Sequence, residues 1–85
     1  MRINYFQDPG HGWIGVPLSL LADWEIKPSG YSYRDDATGY LEEDCDAGLF
    51  VRAAQARGVA VDFVEIHASR DSFIRSLPRF EGKGK

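Results

Sequence analysis

An amphipathic helix followed at once by an apolar strand most strongly constrains the fold of this chain. Apolar residues recur there at the three- and four-residue spacing of one helix face, at Ala47, Phe50, Val51 and Ala54. Asp44 or Asp46 can cap the start of this helix, and Gly58 suits the left-handed conformation that commonly follows a helix end. The pattern therefore predicts a helix that ends at Arg57 and a strand over residues 59–68.

The strand predicted over residues 59–68 carries apolar side chains on both of its faces. Val61 and Phe63 share one face, whereas Val64 and Ile66 share the other. This change of parity predicts either a strand that is covered on both faces or a bulge that re-aims the chain.

Proline and glycine turn signals divide the N-terminal third of the chain. Residues 2–7 predict a strand, and residues 13–16 predict a loop or a short irregular second strand. Pro17 can open a short helix, because proline is favoured at the first helical position. Pro28-Ser29-Gly30 ends this helix, and Trp24 lies where its ring could clamp the sheet.

A β-hairpin is predicted in the middle of the chain, where residues 31–34 and 40–43 flank a polar connection. Residues 73–77 predict a short helix or an edge strand, which Pro78 ends. Together these elements predict an α+β fold, in which a small, mostly antiparallel sheet of roughly four to five strands packs with two helices.

Chain length limits the protein to one small domain. A chain of 85 residues buries only about 60–65% of the surface that its unfolded form exposes, so the core is thin. Five Phe, four Tyr and two Trp can supply much of the area that such a core needs. We expect a single α+β domain over residues 1–80 and a flexible C-terminal tail over residues 81–85.

Cysteine content and hydropathy exclude several classes of protein. The single cysteine cannot form an internal disulfide or a multi-cysteine zinc module. No apolar run approaches the ~18 residues of a membrane span, and the N-terminus lacks the apolar region of a signal peptide. A cytoplasmic protein is therefore expected.

Charged residues are distributed unevenly along the chain, whose formal net charge is −3. Residues 33–48 contain six acids and one base, whereas residues 69–85 contain five bases and two acids. An acidic surface repels nucleic-acid phosphates and attracts basic protein surfaces, although acids also favour helix N-termini and solvated surfaces without further function. The candidate partner-binding residues, six acids with three aromatic anchors, are Asp35, Asp36, Glu42, Glu43, Asp44, Asp46, Tyr31, Tyr33 and Tyr40.

The glycine-flanked segment Asp8-Pro9-Gly10-His11-Gly12-Trp13 is an alternative candidate for a ligand site. His11 could transfer a proton near neutral pH, Asp8 could orient its ring, and the glycines would let a ligand approach the backbone closely. Alternatively, the glycines supply turn geometry and Trp13 fills the core. A ligand site built from Asp8, His11 and Trp13 would require a pocket beside this loop.

Signals for nucleophilic catalysis and metal binding are weak. Cys45 lies at the start of the second predicted helix, where the helix dipole lowers a thiol pKa, but the acids beside it disfavour the thiolate. A metal site would need His11 and His67 to converge with carboxylates such as Asp8 or Glu65. We therefore predict no enzymatic activity, no cofactor and no bound metal.

Four segments of the chain form a distinctive combination. They are Asp8-Pro9-Gly10-His11-Gly12-Trp13, Ser29-Gly30-Tyr31-Ser32-Tyr33, Tyr40-Leu41-Glu42-Glu43-Asp44-Cys45-Asp46-Ala47 and Arg70-Asp71-Ser72-Phe73-Ile74-Arg75. Over residues 3–80 the chain resembles a family of small proteins that bacteriophages and mobile elements of proteobacteria encode. The resemblance brings no known activity or catalytic residue with it, and it implies an accessory protein that acts inside a bacterial cell. Compact acidic phage proteins of this size often inhibit host defence, as anti-CRISPR proteins that mimic nucleic-acid charge do.

These observations favour a non-enzymatic phage-type accessory protein that binds and inhibits a host nucleic-acid-binding defence complex through an acidic, nucleic-acid-mimicking face. Carboxylates of this chain would bind the basic residues of the complex in place of nucleic-acid phosphates. The partner would be a basic host protein or nucleoprotein complex, with neither nucleic acid nor membrane bound directly. Two alternatives stay open: a small ligand-binding domain or enzyme centred on His11, and a structural or assembly homodimer formed through an unpaired sheet edge.

Overall fold

A computed structural model describes residues 1–80, and the predicted C-terminal tail at residues 81–85 lies outside the described part. The elements are β1 (Arg2–Gln7), β2 (Gly12–Pro17), α1 (Leu18–Asp23), β3 (Tyr33–Arg34), β4 (Thr38–Glu42), α2 (Ala47–Ala56), β5 (Asp62–His67) and a 3₁₀ turn (Phe73–Ser76). The strands form one sheet in the order β3-β4-β2-β1-β5. β5 runs parallel to β1, and the other neighbouring strands pair antiparallel. The predicted small α+β fold, with a mostly antiparallel sheet and two helices, is confirmed.

One face of the sheet, here called the helix face, packs against α1 and α2 and carries the main core. Its buried residues are Ile3, Ile14, Val16, Leu21, Leu41, Ala47 and Phe50. Trp24 follows α1 and stacks on Phe50 of α2 with ring centroids 5.4 Å apart, so it joins the two helices as well as packing on the core. Gly39 lets α1 approach the sheet, because a side-chain carbon there would lie 2.8 Å from Leu21.

The opposite face, here called the C-terminal face, is covered by the segment from residue 69 to residue 80. Trp13, Tyr40 and Ile74 are buried there, with Phe6, Tyr33 and Leu77 packed around them. Residues 73–76 form the 3₁₀ turn, so the short helix is the observed one of the two predicted alternatives. Ser72 caps this turn, because its hydroxyl accepts a hydrogen bond from the Ile74 N–H.

The two edges of the sheet differ. Along β3, the C-terminal segment adds backbone hydrogen bonds from the Arg34 N–H to the Pro78 carbonyl (2.8 Å) and from the Phe80 N–H to the Ser32 carbonyl (2.9 Å). Along the outer side of β5, no strand within residues 1–80 is paired. β5 is therefore the open edge of the sheet.

The prediction that the last strand is covered on both faces or bulged is wrong. The register between β5 and β1 is unbroken from Asp62 to His67, so the strand contains no bulge. Phe63 is 42% exposed and Ile66 is 39% exposed, because the sheet ends at this strand. The parity change that the sequence shows belongs to an edge strand with an apolar residue partly exposed on each face.

Helix α2 starts and ends where the pattern predicted, but its start is held differently. Asp46 occupies the N-cap position and its side chain makes no capping hydrogen bond, so capping of α2 by an Asp44 or Asp46 side chain is wrong. Gly58 follows the helix with a φ of +67°, the left-handed conformation expected there. Within residues 1–80, neither α1 nor α2 combines the length and the apolar character that crossing a membrane requires.

Candidate functional site

A cleft of about 310 Å³ opens on the C-terminal face, where the β1–β2 loop, the end of β4 and the C-terminal segment meet. Aromatic, acidic and basic side chains all contribute to it. The lining residues are His11, Trp13, Tyr31, Tyr33, Glu42, Asp44, Cys45, Arg75 and Arg79. This volume is at the lower end of the range for small-molecule sites.

The carboxylate of Asp8 fixes the geometry of one side of the cleft. The side chain of Asp8 is fully buried, and its carboxylate accepts hydrogen bonds from the Gly10, His11 and Ser72 N–H groups at 2.9–3.0 Å. It also pairs with both Arg75 Nε (2.7 Å) and Arg75 Nη2 (2.9 Å). The contact with the Arg75 guanidinium, with further help from these N–H groups, holds the pKa of Asp8 well below its usual range. Asp8 therefore ties the loop to the C-terminal segment.

The carboxylate that faces the His11 ring is Glu42. The distance from His11 Nδ1 to Glu42 Oε2 is 3.4 Å. Glu42 is only 8% exposed although its side chain is acidic. Its other oxygen accepts the Asp44 N–H at 2.9 Å. The prediction that Asp8 would orient His11 is wrong for the ring, since Asp8 binds the backbone N–H of His11.

Glu42 was missed as a partner of His11 because the relevant pairing is nonlocal. β2 and β4 pair antiparallel, and their register sets Trp13 directly opposite Glu42. Opposite residues in such a pair lie on the same face of the sheet. The sequence predicted β4 as one strand of a hairpin, and nothing in its local pattern shows that its other neighbour is β2.

Trp13 combines nearly complete burial with an unused hydrogen-bond donor. The residue is 1% exposed, and its indole Nε1 has no hydrogen-bond partner within residues 1–80. The Arg75 guanidinium lies 5.3 Å from the centre of the Trp13 ring, and the Tyr33 ring meets it edge-on at 6.2 Å. A buried donor that lacks an acceptor costs about 1–3 kcal/mol, so an acceptor supplied from the cleft would be stabilising.

The two arginines of the cleft are in different electrostatic situations. Arg75 forms an ion pair with Asp8, and Asp71 lies 3.8 Å from the Arg75 Nε. Arg79 donates to the Tyr33 hydroxyl at 3.1 Å and to the Gly30 carbonyl at 3.5 Å. Among the carboxylates of the described chain, none lies within ion-pair distance of Arg79. Arg79 is therefore the cation of the cleft that is most able to receive an anionic group.

Cys45 lines the cleft but is a poor nucleophile. It precedes α2 by two positions, in the turn between β4 and the helix. Desolvation, a hydrogen bond with Glu42 and the charges of nearby acids, in that order, raise the pKa of the Cys45 thiol. The pKa of Cys45 thus shifts in the direction that the neighbouring acids favour, although desolvation is the largest cause.

The six candidate acids are not brought together in one surface. Asp35 and Asp36 lie in the turn that precedes β4, whereas the other four lie at or beyond the far end of this strand. The Asp35 carboxylate accepts hydrogen bonds from the Ala37 and Thr38 N–H groups and from the Tyr40 hydroxyl. These contacts, the backbone ones foremost, lower the pKa of Asp35.

Asp46 is buried and serves the fold. Its carboxylate accepts hydrogen bonds from the N–H and the hydroxyl of Ser29, both at 2.9 Å, and from the hydroxyl of Ser32. It thereby ties the loop before β3 to the start of α2. Of the six acids, Asp36, Glu43 and Asp44 are exposed.

The three predicted aromatic anchors also differ in exposure. Tyr31 is 65% exposed, Tyr33 is partly buried and Tyr40 is buried in the small core of the C-terminal face. Tyr31 and Tyr33 line the cleft. Tyr40 contributes to packing, so it is not available as a surface anchor.

A second depression of about 290 Å³ lies on the other side of the β1–β2 loop. Its lining residues are Gln7, Asp8, Pro9, Gly10, His11, Glu43, His67 and Ala68. His67 Nε2 lies 3.2 Å from Glu65 Oε1, and Asp8 is occupied by Arg75. Within residues 1–80, no three His, Cys, Asp or Glu side chains converge in a group that could hold a metal ion.

Comparisons with protein-family models, with curated proteins and with solved structures found no match for this chain. The resemblance to small phage proteins therefore stays a prediction, and the cleft must be interpreted from its own chemistry.

Proposed function

We propose that the protein binds a small amphoteric ligand in the cleft of the C-terminal face. The observation that carries this proposal concerns Trp13, which lines the cleft and whose indole Nε1 is closed to solvent and has no acceptor within residues 1–80. Buried donors in folded proteins almost always have a partner. A ligand oxygen or ring nitrogen would supply it once the side chains that cover Nε1 move aside on binding.

The charged groups of the cleft narrow the class of ligand. Arg79 favours an anionic group such as a carboxylate or a phosphate. Glu42 and Asp44 also line the cleft, and they would repel a simple anion but accept hydrogen bonds from N–H groups. The rings of Tyr31 and Tyr33 offer flat apolar contacts. A small molecule with a planar part, an anionic group and N–H donors satisfies all of these residues.

Binding is better supported than catalysis. The raised pKa of Cys45 leaves a protonated thiol at neutral pH, which is not an effective nucleophile. His11 and Glu42 could exchange a proton with a bound molecule, but among the cleft residues within 1–80 the one thiol is that of Cys45, whose raised pKa disfavours the thiolate. We therefore assign the pair to ligand recognition.

The two indole N–H resonances of the protein provide a test with an internal control. A panel of aromatic amino acids and nucleoside monophosphates is titrated into ¹⁵N-labelled protein. We expect at least one probe to shift the Trp13 indole resonance and to leave that of Trp24, which stacks between the helices, unchanged. Arg79→Gln should weaken this binding by about tenfold, or 1.4 kcal/mol. A panel that leaves the Trp13 resonance in place, or that moves both resonances equally, contradicts the proposal.

A second candidate function is docking on a basic protein, as expected for an inhibitor of a nucleic-acid-binding complex. The observation that favours it is the exposure of Tyr31 beside Asp44 at the rim of the cleft, with Glu43 exposed next in the chain. Exposed tyrosines are frequent anchors of protein interfaces. The docking surface proposed here is limited to Tyr31, Glu43 and Asp44, which are exposed at this end of β4, although Glu43 also accepts a hydrogen bond from the Tyr5 hydroxyl.

A further inference from the structure

We propose that β5 pairs with β5 of a second copy of this chain, which would extend the sheet across a homodimer. β5 is the open edge of the sheet, whereas the β3 edge is covered by backbone hydrogen bonds to residues 78–80. β5 contains neither proline nor lysine, two residues that commonly protect exposed edges, although it carries the acids Asp62 and Glu65. Phe63 and Ile66 are both partly exposed on it.

The backbone of β5 has its free hydrogen-bonding groups at alternate residues. The Asp62 N–H donates to the Met1 carbonyl, and the Ala68 N–H donates to the Gln7 carbonyl. Even-numbered residues of this parallel ladder therefore bond to β1. The N–H and carbonyl groups of Phe63, Glu65 and His67 face outward, where a further strand would bond to them.

One face of β5 carries Asp62, Val64 and Ile66, and the other carries Phe63, Glu65 and His67. The register places Ile66 beside Phe6 on the C-terminal face. Phe6 meets the ring of Phe73 edge-on at 5.7 Å, and Phe73 is 54% exposed. On the helix face, Glu65 and His67 lie together with 3.2 Å between their polar atoms.

A second copy fits this edge because one antiparallel register matches both faces at once. Pairing about a two-fold axis at Ile66 sets Ile66 opposite Ile66 of the other copy and Glu65 opposite its His67. Glu65 and His67 would be the hydrogen-bonded pairs, as their outward backbone groups require. Ile66 would then form a non-hydrogen-bonded pair, in which side chains approach most closely. In a register centred on Glu65, the Glu65 carboxylates of the two copies would face each other. In a register centred on Val64, the acid Asp62 of one copy would face the apolar Ile66 of the other.

Sedimentation over a wide range of protein concentration tests the dimer. We expect a reversible monomer–dimer equilibrium in the wild-type protein. Ile66→Lys should raise its dissociation constant by at least about tenfold, because it places two like charges at the axis. Leu49→Lys, a matched change at an exposed apolar residue of α2, should leave the dissociation constant unchanged. A wild-type protein that stays monomeric, or a dimer that Ile66→Lys does not weaken, overturns the proposal.

Cross-linking tests the register and does not depend on the folding of the lysine variant. In a Cys45→Ser background, Ile66→Cys should form an intermolecular disulfide under mild oxidation, because the two Cα atoms of such a pair lie about 4.5 Å apart. Val64→Cys serves as the control and should cross-link much more slowly, because it would face Ala68 of the other copy. Faster cross-linking at residue 64 than at residue 66 would refute the register.

Discussion

Three buried or nearly buried carboxylates govern the surroundings of the cleft at the scale of single residues. Asp8 joins the β1–β2 loop to the C-terminal segment, Glu42 faces His11, and Asp46 joins the loop before β3 to α2. Each accepts hydrogen bonds from backbone or side-chain donors, which offset the cost of burying an acid. The acids of the chain thus serve internal structure more than composition alone suggested.

The Asp8–Arg75 pair should be essential for stability. Asp8→Asn removes the negative charge that pairs with Arg75. It also replaces one carboxylate oxygen with an amide NH₂ group, which cannot accept hydrogen bonds from the backbone N–H groups around it. We expect the free energy of unfolding to fall by about 2 kcal/mol or more, measured by urea denaturation. Asp71→Asn is the matched control, because the exposed Asp71 lies 3.8 Å from the same guanidinium. It should cost less than about 0.5 kcal/mol, and equal losses in the two variants would contradict the role of Asp8.

The same carboxylate should make stability depend on acid pH. The pKa of Asp8 lies well below that of an unfolded aspartate, about 3.9. Its contribution is therefore complete above this value and is lost as the pH falls toward the folded-state pKa. The free energy of unfolding should decline below about pH 4 and decline less steeply in Asp8→Asn. Some slope should remain in that variant, because the pKa of Asp35 is also lowered.

At the scale of elements, local patterns predicted α2 and the first strand, β1, better than the middle strand, β2. The spacing of apolar residues in α2 and the glycine after it depend only on neighbours in the chain, and both predictions were confirmed. The local pattern of β2 does not distinguish a loop from a strand, because Gly12 and Gly15 interrupt it. It is nevertheless the middle strand, since its partners β1 and β4 supply the ladder on both sides.

Alanine substitutions at Gly48, in α2, and at Gly58, which follows the end of α2, should change the stability of the protein in opposite directions. Gly58→Ala places a side chain at a φ of +67° in open space, so its cost is purely conformational, about 1 kcal/mol. Gly48 is the second residue of α2, so Gly48→Ala should gain part of the roughly 1 kcal/mol that alanine gains over glycine in a helix interior. Its new carbon would lie 3.3 Å from the flexible end of Arg52, which can move. Thermal unfolding should therefore shift down for Gly58→Ala and up for Gly48→Ala, and shifts of the same sign would contradict this account.

At the scale of the whole molecule, the placement of charge decides which surface could meet a partner. The acids of residues 33–48 are split between the two ends of β4, and four of the six accept internal hydrogen bonds, the exposed Glu43 among them through the Tyr5 hydroxyl. A partner that recognises an acidic surface would therefore contact the Glu43 and Asp44 end and the exposed Tyr31. This restricts the docking hypothesis to a part of the molecule that mutagenesis can isolate.

Charge reversal at that end tests the docking surface. The wild-type protein is expected to capture one nucleic-acid-binding complex from a bacterial lysate at low salt and to lose it at high salt. Glu43→Lys with Asp44→Lys should abolish this capture. The control, Asp23→Lys with Glu25→Lys, changes the net charge equally at the end of α1 and should retain it. Capture by both double variants, or by neither, would argue against this surface.

The sequence by itself determined the fold class, the position of α2 and its glycine end, and the first strand. These features follow from side-chain periodicity and turn chemistry over a few neighbouring residues. Only the tertiary structure decided that Glu42 faces His11, that Asp8 binds Arg75, and that β5 is an open edge. Each of these depends on which strands pair and in what register. Such pairing joins residues far apart in the chain, where local patterns carry no information about distance.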